Sequence, residues 1–394
     1  MSWPLIKLSE VAQINPRLPK EHDESQFVSF VAMASASEEG RLLDSEERVL
    51  SETRKGFTYF ERSDVLLAKI TPCFENGKCL RPYEISNQIG FGSTEFHVIR
   101  PNAEKLDVLY LFYMVWNQKF RFLGEQSMSG AAGQKRVSAD FLKNFEIPLP
   151  PLAEQKRIAA ILDKADAIRR KRQQAIQLAD EFLRSVFLDM FGDPVTNPKG
   201  FPKGTIRDLV SSAKYGTSAK ASVTEGEYPV LRMGNITYRG SLDFSDLKYL
   251  DLTEKDKEKY LAEEGDLLFN RTNSKELVGK AAIFEDAEPM AIAGYLIRVR
   301  PNNKGNNYYI SGYLNSKHGK ATLMGMCKNI VGMANINAQE MQDIKILIPP
   351  KALQDRFETI VRETRKRLYS FKSSDEELGV LFSCLSQKAF SGQL

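Results

Sequence analysis

Histidine and cysteine are scarce in this chain: three histidines (His22, His97, His318) and four cysteines (Cys73, Cys79, Cys327, Cys384) among 394 residues. The histidines lie far apart, which argues against a serine- or cysteine-type triad. Cys73 and Cys79 have no second Cys/His pair near them, so buried thiols are a better reading than a zinc site. So few scattered cysteines suit a reducing compartment. No apolar run approaches the roughly 18–20 residues of a membrane span. The opening, Met1-Ser-Trp-Pro-Leu-Ile-Lys7, lacks the basic-then-apolar order of a signal peptide. A cytoplasmic protein with no membrane contact is therefore expected. Charge excess is missing too: the net charge is only +4, too weak to announce nucleic acid by itself.

Catalytic signatures are also absent. A methyltransferase acting on exocyclic amines needs an Asn/Asp-Pro-Pro-aromatic loop and a glycine-rich cofactor turn. Asn15-Pro16-Arg17 and Asn197-Pro198-Lys199 lack the second proline and the aromatic. No G-x-x-x-x-G-K-[ST] cradles a nucleotide phosphate, and no Pro-Asp dipeptide opens a nuclease carboxylate cluster. Asp163 and Asp166 lie among Arg and Lys residues, where ion pairing explains them better than acid–base work. No catalytic residue and no metal ligand is expected.

What the chain does have is a repeat. Residues 141–158 and 340–357 align without a gap at an offset of 199: Pro150 and Pro151 fall on Pro349 and Pro350, Ala153 on Ala352, Gln155 on Gln354, Arg157 on Arg356, and farther on Phe191 on Phe390. Upstream, Asp64-Val-Leu-Leu-Ala-Lys69 resembles Asp266-Leu-Leu-Phe-Asn-Arg271, and Gly77-Lys78 resembles Gly279-Lys280. Each half is a variable region, a double proline and a helix.

Sevens mark the helices. Ile158, Ala165, Arg172, Ala179 and Val186 form one row, and Ile161, Ile168, Ala175 and Phe182 a second. Phe357, Thr364, Phe371, Leu378 and Leu385 repeat the first row; Ile360, Arg367, Ser374 and Leu381 repeat the second less cleanly. Two such rows make a coiled-coil seam. The prolines suit helix starts, and Phe191-Gly-Asp-Pro194 suits a stop. A helix of about 38 residues is roughly 57 Å long, the length of a spacer. A plain dimerisation coiled coil is the alternative, but the duplicate helix argues that the two pair within one chain.

The variable regions carry short strand-like stretches: Phe27–Val31, Val65–Ala68, Glu95–Arg100, Leu267–Phe269 and Tyr295–Arg300. One helix is predicted over Asp107–Phe122 and its partner over Tyr308–Leu323. The expected fold is α+β: two similar globular domains separated by two long helices that pair as an antiparallel coiled coil, with an internal pseudo-two-fold. The expected divisions are 1–150 and 193–348 for the domains, and 151–192 and 349–394 for the helical spacers.

Ile147-Pro-Leu-Pro-Pro-Leu-Ala-Glu-Gln-Lys-Arg-Ile158, the long helix after it and Phe191-Gly-Asp-Pro194 resemble the central region of type I restriction specificity subunits. Ile348-Pro-Pro350 and Ala389-Phe-Ser-Gly392 do so again. The resemblance covers the whole chain in architecture and the helical regions in motif. The second copy departs from the pattern, with Lys351-Ala-Leu-Gln-Asp355 for Leu-Ala-Glu-Gln. The resemblance implies a non-catalytic subunit whose two domains each read half of a bipartite site in double-stranded DNA. It implies docking to two methyltransferase subunits and a restriction–translocase subunit. S-adenosylmethionine, ATP and magnesium would sit on those partners and no cofactor on this chain. The competing reading is a coiled-coil adaptor without DNA readout.

Two loop types in each half carry residues suited to base edges and phosphates. The first follows the Asp-Leu-Leu strand and supplies Lys69, Thr71, Asn76 and Lys78 in one half, and Asn270, Arg271, Thr272, Asn273 and Lys275 in the other. The second precedes the double proline and supplies Ser129, Gln134, Lys135 and Arg136, then Lys328, Asn329 and Asn335. Glycines in these loops would let backbone approach phosphate; solvated polar loops are the alternative. Arg169-Arg-Lys-Arg172 could track phosphate or form a solvated face.

Overall fold

In the computed structural model, residues 3–131, 133–274, 277–327 and 334–394 are described, with side chains at all of these except 369–380. Two compact units result, Met1–Gln173 with Ser373–Leu394, and Gln174–Lys372.

In the first unit, one sheet runs β2 (Ala12–Ile14), β9 (Phe96–Pro101), β6 (Val65–Ala68), β7 (Cys79–Leu80), all antiparallel. A second runs β4 (Glu46–Val49), β3 (Phe27–Val31), β8 (Ile89–Gly92), β5 (Thr58–Glu61), with β3 and β8 parallel. The short helix α1 (Leu50–Thr53) follows β4. Alternation along β6 explains the layers, since successive side chains face opposite ways. Leu66 and Ala68 enter a core with Val31 and Phe60 of the second sheet. Val65 and Leu67 enter another with Tyr110, Leu111 and Met114 of helix α2 (Val108–Trp116). Buried on both faces, β6 reads as a continuous apolar run.

The sequence predicts one helix over Asp107–Phe122, but the structure has two, α2 and α3 (Gln118–Gln126). Asn117 breaks the run: its ψ is 142° and its side chain accepts from the Lys119 N–H, capping the second helix. The partner helix splits likewise into α7 (Asn307–Asn315) and α8 (Lys317–Met326), with Ser316 as the cap. Short helices α4 (Ala139–Asn144) and α9 (Ala338–Gln342) precede the double prolines, and β1 (Leu5–Lys7) pairs with β10 (Glu146–Pro148) at the base.

The second unit repeats the plan. Its sheets run β12 (Val210–Tyr215), β20 (Leu296–Pro301), β16 (Leu267–Asn270), β18 (Ala281–Ile283), and β14 (Lys248–Leu250), β13 (Tyr228–Leu231), β19 (Met290–Ile292), β15 (Leu261–Ala262). β11 (Lys203–Thr205) pairs with β22 (Lys345–Leu347), and β17 (Thr272–Asn273) with β21 (Ala334–Asn335). Helix α6 (Glu254–Tyr260) leads into β15.

Helices α5 (Leu152–Phe191) and α10 (Lys351–Phe390) each run 40 residues. Gly192, at φ 75°, ends α5 with its N–H on the Leu188 carbonyl. In the first unit the start of α5 (Ile158, Ala159, Leu162) shares a core with the end of α10 (Leu385, Ala389, Phe390). In the second the end of α5 (Phe187, Phe191) shares one with the start of α10 (Phe357, Val361). The pairing is thus antiparallel. Its seam is narrower than predicted. Of the first row Ile158 and Phe357 are buried and the other described members half-buried, whereas Ile168, Phe182 and Leu381 of the second are 43%, 51% and 58% exposed; the side chains of Phe371, Ser374 and Leu378 lie outside the described residues. The globules supply the missing contacts: Phe390 meets Tyr110 at 5.3 Å between ring centroids, and Phe191 meets Tyr309 at 4.6 Å.

Buried polar devices recur at equivalent places. Asp64 is bidentate to Arg100 at 2.7 and 2.8 Å, and Asp266 to Arg300 at 2.9 and 3.2 Å. Gln155 donates to the carbonyls of Lys105 and Pro150, and Gln354 to those of Lys304 and Pro349. Each glutamine ties the start of a long helix to the turn before the globule's own helix.

Candidate nucleic-acid interface

The two loop types chosen from sequence lie side by side in both units. In the first, the Thr71 N–H donates to the Lys135 carbonyl at 3.0 Å and the Val137 N–H to the Lys69 carbonyl at 2.9 Å. Ser129 and Arg136 face each other across a hairpin whose turn uses Gly130 and Gly133 at positive φ. In the second, Thr272 pairs with Asn335, and the Ile336 N–H donates to the Arg271 carbonyl at 2.9 Å. Segments about 65 residues apart in sequence thus form one small ladder, the same in each repeat.

Side chains at the junctions differ. Arg136 grips Glu95 through Nε and Nη2 at 3.0 and 2.8 Å, and its Nη1 donates to the Gln134 carbonyl at 2.9 Å. Those bonds hold the Glu95 carboxyl below its usual range. His97 underlies the pair: Nε2–H donates to the Val137 carbonyl at 2.9 Å, Nδ1 faces the Asn15 amide at 3.1 Å, and burial lowers its pKa, keeping the ring neutral. In the second unit, Arg271 lies 4.7 Å from the Tyr215 ring centroid and donates through Nε to Asn335 Oδ1 at 3.2 Å. Tyr215 is itself fixed, its hydroxyl accepting from the Ala338 N–H at 2.9 Å. Tyr295, exposed, stands where the first unit has Glu95.

The remaining candidates divide. Ser129, Gln134 and Lys135 are exposed on the hairpin, while Lys69, Thr272 and Asn273 are half-buried beside it. Thr71 is turned onto Glu75 at 2.6 Å, and exposed Asn76 onto Glu38 at 2.8 Å. Lys78 donates its ammonium to the Met33 carbonyl at 3.2 Å, as Lys280 does to Met233 at 2.9 Å, so both serve as internal struts. Asn270 is placed by sequence in a loop; the structure makes it the last residue of β16, fully buried, with no partner among the described residues for either side-chain atom. Pointing to the same side of β16 as Leu268, it is withdrawn from the surface. Lys275, Lys328 and Asn329 lie outside the described residues. Sequence reasoning missed Glu95 and Tyr295, which stand one residue before β9 and β20 and were read only as the starts of strands, and Tyr215, the last residue of β12, which it did not single out.

Of the central-helix basic run, Arg169 donates to Asp166 at 2.8 Å and Arg170 pairs with it at 3.1 Å, an ion-pair cluster as the sequence suggests. Burial pushes the Cys79 thiol up, which makes it inert. Among the described residues no His, Cys, Asp and Glu group could hold a metal, and no helix is long and apolar enough to cross a membrane.

Comparison with known proteins decides the family. The family model described as "Type I restriction modification DNA specificity domain" matches residues 2–178 and 198–361. The chain belongs to this family. Over 163 residues it is 41% identical to the type I restriction enzyme EcoEI specificity subunit of Escherichia coli, covering 41% of this chain and 27% of that protein. Against the EcoKI specificity subunit of E. coli K12 it is 25% identical over 291 residues, 68% of this chain and 62% of that protein. The chain thus matches about a quarter of the EcoEI subunit's length and less than two thirds of the EcoKI subunit's. In fold it resembles a type I restriction-modification S subunit from M. genitalium, with a TM-score of 0.61 and 15% identity over 98% of this chain and 96% of that one. It also resembles a chain from a type I R-M system studied for complex assembly and conformational transition, with a TM-score of 0.52 and 20% identity over 100% and 98% of the two chains. The two matched segments of the specificity family each carry one of the paired-loop junctions described above.

Proposed function

We propose that this chain is the DNA sequence-specificity subunit of a type I restriction–modification complex, and that its two units each read one half of a bipartite target in double-stranded DNA. One observation carries the reading: the same paired-loop junction recurs in both halves of a chain of the specificity family, with different side chains presented at each. A repeated scaffold with divergent outer residues suits two different half-sites. The chain contributes no chemistry of its own. It docks two methyltransferase subunits and a restriction–translocase subunit in the cytoplasm, and S-adenosylmethionine, ATP and magnesium are held by those partners.

The test is a module exchange. Residues 1–145 are replaced by the equivalent region of a related subunit, and the methylated sequences are mapped in a host carrying the assembled complex. One half of the target should change and the other persist. If both halves change together, or if the complete complex has no affinity for DNA, the reading is overturned, the second outcome in favour of a coiled-coil adaptor. Methyl transfer by the purified single chain would overturn the non-catalytic part.

A further inference from the structure

The two junctions hold one arginine each, and the arginines are in different states. Arg136 has every guanidinium nitrogen engaged, Nε and Nη2 on the Glu95 carboxylate and Nη1 on the Gln134 carbonyl. These bonds take three of its five N–H donors and close its Nε–Nη2 edge. Among the described residues Arg271 makes one side-chain hydrogen bond, from Nε to Asn335 Oδ1, and pairs with no carboxylate.

That single bond leaves the Nη1/Nη2 edge available while the rest of the residue is anchored. Its backbone N–H donates to the Tyr295 carbonyl at 3.0 Å, and its backbone carbonyl accepts from the Ile336 N–H at 2.9 Å. The guanidinium sits over the Tyr215 ring, and Thr272 Oγ1 donates to the same Asn335 oxygen at 3.2 Å, fixing that amide. A planar fork held at its Nε side offers two parallel donors at its far edge. Guanine is the base whose major-groove edge shows two adjacent acceptors, N7 and O6; adenine pairs an acceptor with a donor there. A fork braced by stacking and a side-chain oxygen also loses less conformational entropy on binding than a free arginine.

We propose that Arg271 is a specificity-determining residue that reads a guanine through its Nη edge in the half-site bound by the second unit, with Tyr215 and Asn335 as its positioning residues. The assignment rests on the DNA-reading function proposed above and adds the base and the reader.

The experiment uses the chain assembled with its methyltransferase subunits. The target is first obtained from the methylated sequences. Each guanine of the second half-site is then replaced singly by 7-deazaguanine, which lacks the N7 acceptor, and affinity is measured by competition. One position should weaken binding by about tenfold, and in Arg271→Gln that sensitivity should vanish. Arg271→Gln should also lower affinity for the cognate site on the order of 10- to 100-fold and relax that position towards adenine, with the first half-site unchanged. The 7-deazaguanine scan needs only the wild-type chain, so it stands even if the variant folds poorly. A second half-site without guanine, a wild-type complex insensitive at every guanine, or an Arg271→Gln complex with the same sensitive position would overturn the assignment while leaving DNA reading intact. Absence of any DNA binding by the wild-type complex would overturn the function itself.

Discussion

Glu95 and Tyr295 hold the same position in two like units, one residue before β9 and β20, and the junctions beside them differ accordingly. With a carboxylate at that position, the neighbouring arginine comes from the second loop and is closed into an ion pair. With tyrosine there, the arginine comes from the first loop and stacks on a different aromatic, Tyr215. Beneath this difference the buried parts repeat: Asp64 with Arg100 and Asp266 with Arg300, Gln155 and Gln354, Tyr110 and Tyr309 on the carbonyls of Pro148 and Leu347. At the junctions the divergence involves side chains that are at least partly exposed, and these shared devices persist where a lost partner would be left buried. A buried polar group without its partner costs about 1–3 kcal/mol, whereas an exposed one recovers its bonds from water.

Even the repeated devices are not equal, and mutations can separate them. The largest effect is expected at Asp266. Both it and Asp64 hold one arginine and cap a turn N–H, but Asp266 also lies 3.8 Å from Arg298, which is buried where the first unit has Val98. Removing one partner of a buried ion pair costs about 3–5 kcal/mol. Asp266→Ala should fall near the top of that range and Asp64→Ala near the bottom, measured by urea unfolding; equal losses would mean that Arg298 does not depend on Asp266. A smaller effect of opposite sign is expected at Asn270, which stands where the first unit has Ala68. Asn270→Ala removes an unpartnered buried amide and should raise stability by about 0.5–1.5 kcal/mol, net of the small cavity it leaves. A loss of stability would show that the amide has a partner, such as a buried water.

The smallest effect concerns the closed junction. Arg136 lowers the Glu95 pKa, so the pair adds stability above the unfolded carboxylate value of about 4.3, and that contribution is lost as pH falls through the lower folded value. The pair is partly exposed, so the contribution is slight. The difference in Tm between wild type and Glu95→Gln should be positive at pH 6 and shrink towards zero near pH 3. A difference that does not change with pH would mean that Glu95 acts by shape rather than charge. Among the described residues the second unit, with Tyr295 at that position, has no counterpart to lose.

Much of this molecule was readable in one dimension. The duplication, the double prolines, the two long helices and the glycine stop each depend on a local rule: a periodicity, a missing N–H, a permitted φ. Strands such as Val65–Ala68 and Leu267–Phe269 were readable because burial on both faces leaves an apolar run. The break at Asn117 was not, since Asp107–Phe122 keeps helical spacing across it and only the cap shows the turn. Neither was the exposure of Ile168, Phe182 and Leu381, because a heptad row marks a face without saying what covers it.

At the candidate interface the sequence by itself determined which two segments of each half were rich in polar readers and glycine. It could not separate Lys78 and Asn270, which turn inward, from Lys135, which stays exposed, because strand direction and a backbone acceptor decide that. Nor could it join Arg136 to Glu95, 41 residues earlier, or Arg271 to Asn335, 64 residues later. Only the tertiary structure chose between a closed arginine and an open one. Residue type supplies the donors, but whether they are already spent depends on which strand the fold lays beside them.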